Sequence, residues 1–129
     1  MTLCILSAGK VITLAASLFT LSWTHSVERV RWEEDWRVTP AGLELVAARI
    51  KGSAAGMEVP DDAVLKDGWW TYRPSLPVRP EISLAASGAT LSPWRLCTAQ
   101  ECLELGATKG DPITLSGCTG PQTGESQPR

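Results

Sequence analysis

A single histidine, His25, occurs among 129 residues, so any site that needs two imidazoles is excluded, including the His-x-x-x-His zinc pattern. Tyrosine and phenylalanine are as scarce, with one of each. The four cysteines show no C-x-x-C spacing, which argues against a zinc ribbon or a thioredoxin-type redox motif. Positive charge is not in surplus either: twelve Lys plus Arg against fourteen Asp plus Glu leave a formal charge of −2. Nucleic acid and acidic membrane surfaces select for basic stripes, so neither is expected as a partner. No apolar run reaches the about 20 residues of a membrane span, because Lys10 and several Ser and Thr positions interrupt the longest one. Helical periodicity is absent throughout, and no G-x-S-x-G nucleophile motif occurs. No metal site and no cofactor are expected.

What is present is a mixture that can fill one core: 43% apolar residues, 20% charged residues and six tryptophans. Residues 11 to 23 are uncharged and could pass for the apolar centre of a signal peptide. The stretch before them has no basic residue until Lys10, and no A-x-A cleavage pattern follows. Phe19, Leu21 and Trp23 alternate with Thr20, Ser22 and Thr24, the period of a half-buried strand. A folded strand is therefore the expectation here.

Pairing residues whose numbers sum to 55 sets Phe19 against Trp36, Leu21 against Glu34, Trp23 against Trp32 and His25 against Val30. Thr20, Ser22 and Thr24 then meet Asp35, Glu33 and Arg31 on the other surface. A slip of one residue would destroy this sorting, so the register is strongly specified. The next turn falls at Thr39-Pro40-Ala41-Gly42. A continuous register there (sum 81) places Glu34 opposite Ala47, and Arg49 diagonal to Glu34 on the same face. Asp67-Gly68 signals a turn before Trp69-Trp70-Thr71-Tyr72, residues 73 to 80 carry three prolines and read as an extended connection, and Glu81 to Ser87 reads as a strand. In the last hairpin (sum 199) Trp94 faces Leu105, Arg95 faces Glu104, Leu96 faces Leu103, and Cys97 faces Cys102. Directly opposed Cα atoms are close enough for a disulfide, which favours an oxidising compartment, the periplasm or the outer face of the membrane, with a reduced cytoplasmic protein as the alternative. Cys4 in its apolar strand and Cys118 in the tail are read as thiols that need not pair.

The fold class expected is all-β, a small antiparallel sandwich or partly closed barrel built from consecutive hairpins. One domain over residues 1 to 105 would be followed by a disordered low-complexity tail over 106 to 129.

The residues Trp23-Thr24-His25-Ser26-Val27-Glu28, Trp32-Glu33-Glu34, Lys51-Gly52-Ser53-Ala54-Ala55-Gly56-Met57, Asp67-Gly68-Trp69 and the Trp94…Cys97…Cys102 ending resemble the bacterial family called domain of unknown function 1850. The resemblance covers roughly residues 3 to 105, with Ala54 where the pattern suggests glycine. It implies a small β protein, encoded in many cases beside TRAP transporters of the TAXI type. It implies no established activity.

Several candidate sites emerge. His25 and Glu28 flank the first turn and could bind a cation or a polar substrate group, against a structural hydrogen-bonding role for the histidine. Glu34 lies on an otherwise apolar face with Trp23 and Trp32. A buried carboxylate needs a partner or a proton, and Arg49 is the expected partner, either as a structural ion pair or as part of a polar spot in an aromatic pocket. Of Trp69 and Trp70, which point to opposite faces, at least one could anchor an interface, and Trp69 is taken as a ligand candidate. The loop from Gly52 to Met57 lacks the Lys-Ser/Thr ending of a phosphate loop and reads as a tight turn. The function expected is a non-enzymatic accessory or ligand-binding module, with transporter subunits or a small molecule as partner. The alternatives are a hydrolase or metal-dependent enzyme using His25 and Glu28, or a structural envelope protein.

Overall fold

A computed structural model of the chain describes residues 1–24, 30–51, 62–86 and 93–118. Among these residues the strands are β1 (Thr2–Ser7), β2 (Lys10–Ala15), β3 (Leu18–Thr24), β4 (Arg31–Thr39), β5 (Gly42–Lys51), β6 (Val64–Lys66), β7 (Trp69–Tyr72), β8 (Glu81–Ala86), β9 (Trp94–Cys97), β10 (Cys102–Leu105) and β11 (Gly110–Cys118). They form two antiparallel sheets, ordered β2-β1-β11-β8 and β10-β9-β3-β4-β5-β7-β6, which are not closed into a barrel. The all-β expectation holds in its sandwich form, and no helix occurs among the described residues.

Local chemistry explains the hairpins. Ala8 and Gly9 both have positive φ (54° and 78°), as do Asp67 and Gly68 (54° and 84°), the two-residue geometry that matches strand twist. At the β4–β5 turn the Thr39 hydroxyl accepts from the Ala41 and Gly42 amides and donates to the Gly42 carbonyl. Gly42 has φ 140°, and a Cβ there would collide with the carbonyl oxygen of Arg79. That close approach exists because Leu43 and Arg79 exchange two backbone hydrogen bonds, which tie the proline-rich connection to β5.

One cluster fills the space between the sheets. Leu3, Ile5, Leu14, Ile82, Leu84, Ile113 and Leu115 from the smaller sheet meet Phe19, Leu21, Trp36, Val38, Leu43, Leu96 and Leu105 from the larger. Apolar burial of this kind is worth about 1.5–3 kcal/mol per large side chain, and it selects the register that points these residues inward.

Two expectations about the C-terminal part require correction. Residues 110 to 118 are not a tail: β11 pairs with both β1 and β8 and buries Ile113 and Leu115. The domain therefore extends to Cys118, and residues 119 to 129 lie outside the described set. Cys4 and Cys118 are not free thiols. Cys4 faces Ser116 in register and bonds diagonally to Cys118, with a Cα–Cα distance of 5.8 Å and 114 residues of separation. The Cys97–Cys102 disulfide forms as expected, with Arg95 opposite Glu104 and Leu96 opposite Leu103. Two disulfides are more typical of extracytoplasmic proteins than of cytosolic ones.

Candidate functional site

The β3–β4 register follows the sum of 55 from Leu18–Arg37 to Thr24–Arg31 without interruption. The β4–β5 register does not stay continuous. Val38–Leu43, Arg37–Glu44 and Trp36–Leu45 pair as expected, but beyond them Asp35 meets Ala47, Glu34 meets Ala48 and Glu33 meets Arg49. Val46 is the extra residue of a bulge. Because side chains alternate faces with a period of two, one inserted residue moves every later side chain of β5 to the opposite face.

Arg49 is therefore on the outer face, and the expected Glu34–Arg49 pair does not exist. Its Nη1 donates to Asp35 Oδ2 (2.7 Å), and its Nε and Nη2 donate to Glu33 Oε1 (3.1 and 3.0 Å). Thr20 donates to Asp35 Oδ1 at 2.8 Å, and Arg31 donates to Glu33 and to the buried Ser22 hydroxyl. The Arg49 guanidinium holds the Asp35 carboxyl below the ordinary carboxylate range, and Asp35 raises the guanidinium in return. Each charge in this network has a partner, so it is a structural brace across three strands.

The inner face holds the more unusual chemistry. Ring stacking joins Trp23 to Trp32 (centroids 5.9 Å apart), and Trp23 also tilts against Trp94 at 4.7 Å. Across the sheet, Trp23, Trp32, Ile50, Trp70 and Leu65 form one row, and Leu21, Glu34, Ala48 and Tyr72 form the next. Trp36 Nε1 donates to Glu34 Oε1 at 3.1 Å. Burial pushes the Glu34 carboxyl above its ordinary range, and the Trp36 hydrogen bond offsets this only in part. Tyr72 is raised as well, first by its own burial and then by the charge of Glu34 across Ala48. Trp23, Trp32, Glu34, Trp70 and Tyr72 are all only partly buried, so this end of the face is not sealed by the core. Trp32 Nε1 is nevertheless buried, with no hydrogen-bond partner among the described residues.

The remaining sequence candidates divide. Trp23, Trp32 and Glu34 come together as described. His25 and Glu28 lie outside the described residues, as does the Gly52–Met57 loop. Trp69 sits on the outer face beneath the Lys51 ammonium, 5.3 Å from the ring centroid, a cation–π contact that already occupies that ring. Trp70 and Tyr72 join the face without a signal in the sequence, because only the β5–β7 pairing reveals that they share it with Glu34. Among the described residues, no three His, Cys, Asp or Glu side chains are grouped to hold a metal. A groove of about 450 Å³ lies elsewhere, lined by Met1, Ala15, Ala16, Ser17, Leu18, Ala99 and Gln100, none of which has a charged side chain.

No curated protein and no solved structure matches the chain significantly. A family model does match, over residues 19–105, which span β3 to β10 and include every residue of the inner aromatic face. The chain belongs to the family described as domain of unknown function DUF1850.

Proposed function

We propose that this domain is a non-enzymatic ligand-binding module, with the inner face around Trp23, Trp32, Glu34, Trp70 and Tyr72 as its site. The observation that carries the reading is Glu34: a half-buried carboxylate set among tryptophans, with no cationic partner among the described residues. A protein that needed only a core would place an apolar residue there, since an uncompensated buried carboxylate costs stability. Small-molecule sites commonly combine aromatic walls with a few polar groups, and this face has that composition. The module is read as an accessory of a TAXI-type TRAP transport system, as the family resemblance implies, working in the periplasm or at the outer face of the membrane. The two disulfides support that compartment.

Two measurements test the reading. A mixed library of polar metabolites titrated into the oxidised protein should shift the indole N–H resonances of Trp23, Trp32 and Trp70 ahead of those elsewhere. A library that leaves all three unmoved removes the ligand site. Affinity-tagged protein should also co-purify transporter subunits from the native envelope, and their absence from cross-linked preparations removes the transport association.

A further inference from the structure

The distribution of charge over the larger sheet is one-sided. Register places Arg31, Arg37, Arg49, Lys51, Lys66 and Arg95 on its outer face, together with the carboxylates Glu33, Asp35, Glu44 and Glu104. The inner face of the same strands carries one charged residue, Glu34. Its Oε1 is taken by the Trp36 indole, which leaves Oε2 with no donor among the described residues. Ala48, between Glu34 and Tyr72 in register, contributes only a methyl group, so the space beside the carboxylate is not filled by a large side chain from β5. Two positions along β4, about 6.6 Å away along the backbone on the same face, Trp32 contributes a partly buried ring. The neighbouring side chains are aromatic, and ring faces attract cations and disfavour anions.

We propose that this site takes a small organic ammonium ion, with its cationic head against Glu34 Oε2 and the partly buried tryptophan rings. This rests on the reading of the inner face as a ligand site, and it adds the class of ligand. A half-buried carboxylate on an aromatic face supplies both the Coulomb attraction and the ring quadrupoles that such a head requires. A neutral ligand of the same shape would leave the carboxylate uncompensated.

Choline and its neutral isostere 3,3-dimethyl-1-butanol separate charge from shape, and glucose serves as an uncharged polyol. Each is titrated into the oxidised protein, followed by the indole N–H resonances and by tryptophan fluorescence. Choline is expected to shift the Trp32 indole signal and to bind about tenfold or more tightly than the isostere. Glu34→Gln, which keeps the shape and the Trp36 hydrogen bond, should bring choline down to the level of the isostere. Trp32→Phe should weaken choline while leaving the fold intact by circular dichroism. Equal binding of choline and the isostere, or choline affinity unchanged in Glu34→Gln, overturns the ammonium assignment. Glucose shifting these indoles while choline does not would overturn it as well, yet leave the face a ligand site. If neither these probes nor the metabolite library moves the indole signals, both readings fall.

Discussion

Removing the Cys4–Cys118 bond should cost far more than removing Cys97–Cys102, although both are single cross-strand links in one domain. The two close loops of 114 and 5 residues of sequence separation. In the chain-entropy description, a cross-link stabilises by restricting the unfolded chain, and the restriction grows with the logarithm of loop length. The larger loop is then worth about 4.8 kcal/mol at 25 °C and the smaller about 2 kcal/mol. With a urea slope of about 1.5 kcal/mol/M, Cys4→Ala/Cys118→Ala should lower the midpoint by about 3 M, and Cys97→Ala/Cys102→Ala by about 1.3 M. Little native packing is forfeited in either variant, since Cys4 and Cys118 lie on the outer face of the smaller sheet and Cys102 is exposed. Urea unfolding followed by tryptophan fluorescence reads both. Equal shifts, or a larger shift for the Cys97–Cys102 pair, would refute the entropic argument and point instead to strain or to residual structure in the unfolded chain.

Three further outcomes follow from the geometry. Gly42→Ala should destabilise by about 2 kcal/mol or more, because φ 140° and the Arg79 carbonyl both oppose a Cβ; an unchanged melting temperature would show that the β5 contact yields. Arg49→Met should cost about 1–2 kcal/mol at neutral pH by leaving Asp35 without a cation beside Glu33, which keeps only Arg31. Asp35 has a depressed titration in the folded state, so its share of that stability is present above its unfolded value of 3.8 and disappears as pH falls through the folded value. The gap between wild type and variant should therefore narrow in acid, and a pH-independent gap would argue against this pairing. Glu34 has the opposite sign: its raised titration means that stability falls as pH rises from its unfolded value of 4.5 through the folded one. Glu34→Gln should raise the melting temperature at pH 7 and give no gain at about pH 3, and thermal melts at the two values decide it.

The hairpins that were legible share strict alternation. Phe19 to Thr24 against Arg31 to Trp36 sorts apolar from polar at every pair but Leu21–Glu34, and only one register preserves that sorting. The last hairpin carries the same information in Arg95–Glu104 and the two cysteines. Between Leu45 and Ala48 the alternation stops, since Leu45, Val46, Ala47 and Ala48 are all apolar. Either face could be buried there, and nothing local marks Val46 as the bulged residue. The face of Arg49 depended on that one position, so its true partners could not be read off. Strand β11 was obscured by Gly110, Asp111 and Pro112 and by its Ser and Thr content; its only signal was Ile113 and Leu115 two apart. The Cys4–Cys118 bond needs the β1–β11 pairing, a contact between distant segments that no local pattern encodes.

The Cys4–Cys118 bond also has a mechanical meaning. It joins β1 to β11, side by side in one sheet, so tension entering at residue 1 and leaving after residue 118 passes through only a few residues and a covalent bridge. The chain between the cysteines, including the aromatic face and the Arg49 network, lies off the line of force. If the domain is tethered at both ends, its interior bears no load while the bridge is oxidised. Reduction would transfer that load to the antiparallel β1–β11 hydrogen bonds, making the mechanical strength of the domain a function of its redox surroundings.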